Sequence, residues 1–275
     1  MMTCAHSLER EPDMAGRSRP KLRVMHRHLL SARARNITEH SARRSTLVLA
    51  PHPDDETIGC GAAIMRKVDC GTEVWVLVVT DGRLGVSGTD VPPTLVAERR
   101  EAECREACRR LGVPDDHVVT LDVPDLSIGD RSEEVESAIR ELNRTFKPEE
   151  VMSPFRIDNN PDHRALGAIV DSLRPDEFRA AHVLAYPVWL WNRWAWTAPS
   201  LPKYRQTAEL LLRPTWATLR LRVRAVDARE YREQKRHALQ AYESQVNGVL
   251  DADWLSMFLG PDEIFFALQE PPPTQ

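Results

Sequence analysis

The sequence predicts an α/β domain built on a mostly parallel β-sheet. Short apolar segments alternate with longer amphipathic ones, a pattern typical of βαβ units with right-handed crossovers. The segment 73–80, E-V-W-V-L-V-V-T, is almost continuously apolar, as expected for a strand covered on both faces. The 275 residues are 42% hydrophobic, which supplies enough apolar side chain for a full core and argues against wholesale disorder.

The individual elements follow from periodicity and from their end signals. The run 46–50 is apolar and β-branched and is bounded by Pro51 and Pro53, which favours a short buried strand. Gly112 stands directly after a long charged amphipathic segment and marks the C-terminal end of a helix. On this basis the predicted strands are 46–50, 73–80, 118–123, 150–153, 182–188 and 263–268, and the predicted helices are 56–69, 94–111, 133–146, 164–173 and 227–246.

The two ends of the chain depart from this alternation. Residues 1–45 carry ten Lys or Arg against four Asp or Glu, a net of +6, without clear periodicity. We therefore expect a basic, flexible N-terminal extension, followed by one domain over 46–275. After Pro187 four tryptophans fall within eight residues, and a proline-marked stretch follows up to about Arg224, so we expect an elaborated C-terminal third.

Charge and cysteine content exclude several classes of protein. The whole chain has a net charge of −4, which leaves −10 for the residues after 45 and argues against a dedicated nucleic-acid binder. No run of about 18 apolar residues predicts a membrane span, and the N-terminus lacks the features of a secretory signal. Five cysteines without a C-x-x-C pair argue against a disulfide framework, so we expect a cytoplasmic protein.

The strongest chemical signal is A-P-H-P-D-D-E at 50–56, at the carboxyl end of the first predicted strand. Ligands bind at that edge of open parallel sheets. His52 and Asp55 are three residues apart, so one turn can aim both side chains into the same cavity, with Asp54 between them. An imidazole and a carboxylate are suitable zinc ligands. A lone D-D-E, however, is most often a solvated helix start, where carboxylates favour the helix dipole.

A second cluster, N-N-P-D-H-R-A at 159–165, follows the predicted strand at 150–153. His163 would reach the same edge of the sheet and supply a third ligand, leaving a position for water, as in catalytic zinc sites. A lone P-D-H is most often a turn, but the two clusters at two strand exits together favour a metal site. Zinc is the expected metal, although His and Asp ligands also suit other divalent metals such as Fe²⁺.

At this point the sequence resembles a known family. The segment V-L-A-P-H-P-D-D-E-T-I-G-C-G at 48–61 is similar to the opening signature of the PIG-L/LmbE-like zinc-dependent N-acetylglucosaminyl deacetylases. The likeness continues in V-V-T-D-G at 78–82, in the R-x-x-E helix with L-G-V at 111–113, in P-D-H-R-A, and in K-R-x-A-L-x-A-Y-x-S-Q at 235–245. It therefore covers about residues 46–246 in collinear order.

The resemblance implies a Rossmann-like three-layer fold with a mostly parallel, LmbE-like sheet. It also implies that His52, Asp55 and His163 hold zinc and that Asp54 is the general base that accepts a proton from the attacking water. No G-x-G-x-x-G follows the first strand, so we expect no nucleotide cofactor. We expect Gly59 and Gly61 to allow close packing instead.

The chain departs from the family at one position. Many members read H-x-D-H in the second motif, where the first His stabilises the oxyanion or protonates the leaving group; here that residue is Asn160. An amide can donate a hydrogen bond but cannot deliver a proton at neutral pH. Asp54 would then act as base and acid, or His182 would contribute, or the chain is a non-catalytic relative. Asp162, which orients that His in the family, would have a changed task.

Substrate contacts are less specified by the sequence. Arg100 and Asp125 fall where relatives contact the sugar, although a helix salt bridge and a turn carboxylate are nearly as good explanations. The tryptophan cluster at 189–196 suits either a stacking platform for a sugar or an apolar group, or a lid or oligomer contact. Cys104 and Cys108 are expected to pack in the core.

The expected function is hydrolytic removal of the N-acetyl group from an N-acetylglucosamine-type sugar on a small molecule or glycoconjugate. The expected partner is thus a small amino-sugar conjugate, without nucleic acid, and a homo-oligomer remains open. Two alternatives also remain open, namely an amidase of the same fold that cleaves a larger acyl group, and a non-catalytic sugar-binding relative.

Overall fold

The computed structural model describes residues 20–85, 91–158, 160–191, 201–246, 256 and 258–271. Its strands form one eight-stranded sheet in the order β1-β7-β8-β6-β5-β2-β3-β4. The strands are β1 (Arg35–Asn36), β2 (Thr46–Ala50), β3 (Val74–Thr80), β4 (Val118–Val123), β5 (Glu150–Pro154), β6 (His182–Tyr186), β7 (Val223–Asp227) and β8 (Asp262–Gln269).

Helices lie between the strands and cover the sheet. In the described residues they are α1 (Pro20–Arg33), α2 (Thr38–Ala42), α3 (Asp55–Asp69), α4 (Pro93–Arg110), α5 (Ser132–Phe146), α6 (Pro161–Leu173), α7 (Lys203–Arg220), α8 (Arg232–Leu239) and α9 (Glu243–Val246). Short 3₁₀ turns occupy Asp115–His117 and Trp189–Trp191. None of the helices in these ranges is long and apolar enough to cross a membrane.

The direction of the strands confirms a mostly parallel sheet. Strands β2, β3, β4, β5 and β6 pair in parallel, and β1 pairs in parallel with β7. Only β8 among the described strands runs antiparallel to its neighbours, β6 and β7. After β4 the chain crosses β2 to form β5 on its other side. The carboxyl ends of β2 and β5 therefore meet at a topological switch point, where ligands bind in open α/β sheets.

Alternation along the strands builds a core on each face of the sheet. In β2, Val48 and Ala50 join one buried cluster, together with residues of α3, α4 and α8. Leu47 and Leu49 join a second cluster, together with residues of α5 and α6. Successive side chains of a strand point to opposite faces, so a continuously apolar strand requires cover on both sides. The result is the three-layer arrangement that the family resemblance implied.

Residues 26–45 differ from the predicted flexible extension. Leu30, Ile37 and Ala42 are buried, and β1 adds to the edge of the sheet beside β7. The buried Ser41 Oγ donates to Glu150 Oε1 at 2.7 Å. The irregular sequence pattern hid these contacts because the segment is packed by short elements. The domain therefore begins before Thr46, while residues 1–19 lie outside the described part.

The C-terminal third also differs in detail. Residues 223–227 form strand β7, which the sequence did not predict, and the expected helix 227–246 is divided into α8 and α9. Helix α7 was not predicted, because Pro214 stands inside it and proline is disfavoured within helices. Of the four clustered tryptophans, Trp194 and Trp196 lie outside the described part, so a role for the cluster stays a prediction.

Candidate metal centre and active site

The two sequence clusters meet at the carboxyl edge of the sheet. His52 lies two residues beyond the end of β2, and α3 begins at Asp55. Asp158 lies just beyond β5, and His163 lies in the first turn of α6. Because β2 and β5 are hydrogen-bonded parallel neighbours, the segments that follow them lie side by side at this edge. The topology thus brings together residues more than 100 positions apart in the chain.

Three ligand atoms converge there. His52 Nδ1 lies 3.0 Å from Asp55 Oδ2, Asp55 Oδ2 lies 3.1 Å from His163 Nε2, and the two ring nitrogens are 3.3 Å apart. Nitrogen and oxygen ligands at about 2.0–2.1 Å from a tetrahedral zinc ion lie roughly 3.3–3.4 Å from one another. The observed separations and the donor types fit a divalent metal held by these three residues.

Two further carboxylates contact the other ring nitrogens of His52 and His163. Asp162 Oδ2 is 3.2 Å from His52 Nε2. Asp158 Oδ2 is 3.2 Å from His163 Nδ1. This contact is an ion pair, because its angles do not meet those of a hydrogen bond. Carboxylates in this position hold the ring orientation of metal-binding histidines and increase their basicity. Asp158 was not singled out from the sequence, although an acidic residue just after a strand and five residues before His163 was a usable signal.

The charges of the group favour a cation. Burial lowers the pKa of His52, but the contacts with Asp162 and Asp55 outweigh it and raise the pKa to about 9. Burial likewise opposes the ionised form of Asp55, yet His163 and His52 hold its pKa well below the usual value. The carboxylates thus favour positive charge at the imidazoles, and a divalent cation supplies that charge at the same atoms.

Asp54 lies beside this group and is held by Arg100. Its backbone has a φ of 136°, which is unfavourable for a residue with a side chain and is a feature that clusters at functional sites. Burial raises the pKa of Asp54 to about 7, although Arg100 opposes the rise. Arg100 Nη2 lies 3.1 Å from Asp54 Oδ2 and donates to the Pro53 carbonyl oxygen. A carboxylate with a pKa near neutrality suits proton transfer at pH 7.

Arg100 lies directly beside Asp54 in the site. Its side chain is 2% exposed, underneath Asp54, rather than open towards a sugar. The side chain reaches the site from α4, and Gly82 leaves room for it, since a Cβ there would lie 2.8 Å from Arg100 Nε. This location is that of a residue that positions Asp54, and a direct sugar contact stays an untested prediction.

Asn160 and Asp125 have structural contacts in addition to their predicted roles. Asn160 Oδ1 caps α6 by accepting a hydrogen bond from the Asp162 backbone N–H at 2.8 Å, so the amide nitrogen is the part left to donate. Asp125 accepts from the backbone N–H groups of Gly82 at 3.2 Å and Leu84 at 2.7 Å. One ligand atom each of Asp125, Asp162 and His52 lie within 4.8 Å of one another, so Asp125 borders the metal group.

The Y-x-S-Q part of the C-terminal motif is joined to the site by hydrogen bonds. Tyr242 donates to the buried carboxylate of Glu56, which in turn accepts from the Asp54 backbone N–H at 3.1 Å. Gln245 Nε2 donates to the Gly85 carbonyl oxygen at 3.0 Å. These contacts join the segment after α8 to α3 and to the loop after β3.

Other sequence predictions have clear outcomes. His182 stands at the amino end of β6, whereas the site lies at the carboxyl edge of the sheet. The length of β6, about 13 Å, separates His182 from that edge, so His182 cannot contribute to the site. Cys104 and Cys108 are buried, as expected, and Glu56 lies close to both. A hydrogen bond with Cys108, together with burial, raises the pKa of Cys104 well above its usual value, which disfavours the metal-binding thiolate. Gly59 and Gly61 serve close packing, against Tyr186 and Lys235.

Comparison with known proteins gives concordant results. Residues 47–173 match the model of the family described as PIG-L, GlcNAc-PI de-N-acetylase. The chain is 33% identical over 127 residues to diacetylchitobiose deacetylase of Thermococcus kodakarensis, which covers 45% of this chain and 46% of that protein. It is 30% identical over 157 residues to the probable N-acetyl-α-D-glucosaminyl L-malate deacetylase 2 of Bacillus cereus, covering 52% of this chain and 68% of that protein.

A solved structure shows the same fold. The N,N′-diacetylchitobiose deacetylase of Pyrococcus horikoshii superposes with a TM-score of 0.60 and 22% identity, over 84% of this chain and 87% of that chain. The chain thus spans about half the length of the first of these relatives by sequence, and most of the length of a relative by structure.

Proposed function

Because the chain belongs to the PIG-L family of de-N-acetylases, we propose that it is a zinc-dependent hydrolase that removes the N-acetyl group from an N-acetylglucosamine-type sugar. The observation that carries the proposal is the convergence of His52 Nδ1, Asp55 Oδ2 and His163 Nε2 beside Asp54. Relatives named as deacetylases of diacetylchitobiose and of an N-acetylglucosaminyl malate support an amino-sugar conjugate as the substrate.

The chain's own residues divide the work as follows. His52, Asp55 and His163 would hold a divalent metal, which would supply a water of lowered pKa and polarise the amide carbonyl. Asp54 accepts the proton of the attacking water, and Arg100 keeps its carboxylate in place through the 3.1 Å contact. Asp162 and Asp158 orient the two metal-binding imidazoles.

Collapse of the tetrahedral intermediate requires a proton for the departing amine. Asn160 cannot supply it, but its amide nitrogen can donate a hydrogen bond to the oxyanion. His182 is excluded by its position at the other edge of the sheet. We therefore assign the return of the proton to Asp54, whose pKa, raised by burial to about 7, allows it to act as both base and acid.

The compartment and the metal are part of the same proposal. Cys60, Cys70, Cys104 and Cys108 are free thiols in the described part of the chain, which supports a reducing compartment such as the cytoplasm. Two imidazoles and one carboxylate favour zinc, with Fe²⁺ as the nearest competitor.

The test measures acetate release and metal content together. Purified protein loaded with zinc or Fe²⁺ is incubated with N-acetylglucosamine conjugates and with analogues that carry longer acyl chains. We expect acetate to be the preferred product, zinc-loaded protein to be active, and chelation to abolish the activity. A preference for longer acyl chains would indicate an amidase of another specificity. Turnover that survives complete removal of the metal, or no acetate release by metal-loaded protein, would contradict the proposal.

Variants separate the base from the ligands. Asp54→Ala should abolish turnover with bound metal retained, because Asp54 is not among the three converging ligands. His163→Ala should lower both metal content and turnover. His40→Ala, at an exposed position on α2, is the control and should change neither. Equal turnover in Asp54→Ala and in the unmodified protein would show that another group is the base.

A further inference from the structure

Three exposed aliphatic side chains stand on the loops that surround the metal group. Leu84 follows β3, Leu126 follows β4 and Ile157 follows β5, and their exposed fractions are 54%, 59% and 39%. Isolated exposed aliphatic residues are ordinary. These three are unusual because they occupy the same edge of the sheet, on the three loops next to the candidate active site. We call them the apolar rim.

Hydrogen bonds tie two rim residues directly to site carboxylates. The Leu126 backbone N–H donates to Asp162 Oδ2 at 2.7 Å, and the same oxygen lies 3.2 Å from His52 Nε2. The Leu84 backbone N–H donates to Asp125 Oδ2 at 2.7 Å. Because one ligand atom each of Asp125, Asp162 and His52 lie within 4.8 Å of one another, both leucines stand at the border of the metal group.

The third rim residue is tied to the site through its neighbour. Ile157 directly precedes Asp158, whose Oδ2 contacts His163 Nδ1 at 3.2 Å and accepts from the Trp189 backbone N–H at 3.2 Å. Asp162, which contacts His52, therefore also holds the Leu126 backbone, and Ile157 adjoins the carboxylate that contacts His163. The rim residues thus lie next to the residues that converge at the candidate metal group.

The backbone of Leu126 adds a second, independent observation. Its φ of 66° is in the left-handed region, where a leucine is strained and where glycine, asparagine or aspartate is ordinarily found. The mostly exposed side chain of Leu126 buries little apolar surface, so its burial does not offset the backbone strain. A strained residue that presents an apolar side chain beside a reactive site is typical of a ligand contact.

We propose that the apolar rim binds an apolar substituent of the substrate, so that the preferred substrate is an N-acetylglucosaminide with an alkyl or aryl aglycone. This inference rests on the proposed function, because the sugar must carry its acetamide to the metal group while the aglycone lies on the rim. The rim residues border the group of ligand atoms to which the sugar would bring its acetamide, which favours a part of the same substrate over a second copy of the chain. The rim thereby acts as a specificity surface for the same reaction.

The test compares two glycosides that differ only in their apolar group. Methyl and hexyl N-acetylglucosaminides of the same anomeric configuration are assayed for acetate release by the full-length, metal-loaded chain. We expect kcat/KM to be at least about tenfold higher for the hexyl glycoside, which corresponds to the burial of a few methylene groups on a partly exposed surface. The same pair is titrated calorimetrically into metal-loaded Asp54→Ala protein, so that binding is measured without turnover.

Rim variants locate the preference. Leu126→Asn removes the apolar side chain and keeps a residue that tolerates a positive φ, so the loop is expected to retain its conformation. Leu84→Ser and Ile157→Thr remove the other contacts. Each variant should reduce the hexyl-to-methyl ratio of kcat/KM several-fold. Leu212→Asn is the matched control, because Leu212 is 69% exposed on α7, outside the three loops, and should leave the ratio unchanged.

Every outcome bears on the proposal. Deacetylation of both glycosides with a ratio near one would overturn the rim proposal and leave the proposed function intact. Tighter binding of the hexyl glycoside to Asp54→Ala protein, without acetate release by the unmodified chain, would support the rim and overturn the proposed function. An equal loss of the ratio in Leu212→Asn would also overturn the rim proposal, since the preference would then not come from these loops.

Discussion

Asp54 shows how much of the chemistry depends on single contacts. The residue lies between the candidate metal ligands His52 and Asp55 in the sequence, but its carboxylate contacts Arg100, which is 46 positions away. The guanidinium contacts both the carboxylate and the Pro53 carbonyl oxygen, so it fixes the backbone and the side chain of the base together. We infer that Arg100 is a positioning residue for Asp54.

Replacing Arg100 tests that conclusion. Arg100→Met should reduce kcat by about 100-fold, because a catalytic group displaced by roughly 1 Å loses that much. KM and metal content should remain near their original values, and Arg100→Lys should restore part of the activity through its charge. Steady-state kinetics and metal analysis measure these effects, with Arg99→Met as the control because Arg99 is 55% exposed on the same helix. A rise in KM at constant kcat would instead indicate a direct sugar contact.

A second prediction at this scale concerns Asp158. Asp158→Asn removes the negative charge beside His163 Nδ1 and should lower metal affinity by about 10–100-fold, the usual cost of losing such a partner. Competition with a chelator measures the affinity. Asp171→Asn is the control, since Asp171 pairs only with Arg156 and Arg174 among the described contacts. Unchanged affinity in Asp158→Asn would show that His163 does not need this carboxylate.

At the scale of single elements, α3 has to lie very close to the sheet. Its first turn carries Asp55, and its second turn passes over Tyr186 of β6. Tyr186 donates to the Leu49 carbonyl oxygen at 2.8 Å, so the ring cannot move away from β2 easily. Only a glycine at position 59 permits this approach.

Gly59→Ala should therefore destabilise the protein. An added Cβ would lie 2.3 Å from Tyr186 Cδ2, and such overpacking costs about 1–3 kcal/mol in the free energy of unfolding, against a gain of about 1 kcal/mol in helix propensity. Urea denaturation measures the difference. Gly129→Ala is matched to it, because an added Cβ there meets no atom within 4 Å and no positive φ is required. Equal stability of the two variants would show that α3 can shift away from the sheet.

At the scale of the whole molecule, the N-terminal segment is part of the domain. Ser41 Oγ donates to Glu150, and the buried Lys67 donates to the Ser41 carbonyl oxygen while pairing with Glu150 at 2.9 Å. β1 completes the sheet edge beside β7. These contacts link α2, α3 and β5 at the amino edge of the sheet, opposite the metal group.

Two truncations test this assignment. A chain that starts at residue 46 loses the buried Leu30 and Ile37 and two partners of Lys67, and it should be destabilised by about 3–6 kcal/mol or fail to fold. A chain that starts at residue 20 retains every contact described above and should keep its stability. Thermal and urea denaturation compare the two. Equal stability of both truncated chains would restore the flexible extension predicted for residues 1–45.

The sequence alone determined the alternation of strands and helices from β2 to β6, because hydrophobic periodicity is a local property and the parallel strands there are apolar on both faces. It also determined His52, Asp54, Asp55 and His163 as the candidate site, since each follows a strand that ends at the ligand-binding edge. The resemblance to a family then assigned their expected roles.

Tertiary structure decided what depends on residues far apart in the chain. Strands β1, β7 and β8 acquire their places only by pairing with one another, and no local pattern states that β8 runs antiparallel to both neighbours. The contacts of Arg100 with Asp54 and of Tyr242 with Glu56 join residues 46 and 186 positions apart. Periodicity carries no information about such pairs, because which side chains meet in the interior is determined by packing of the whole chain.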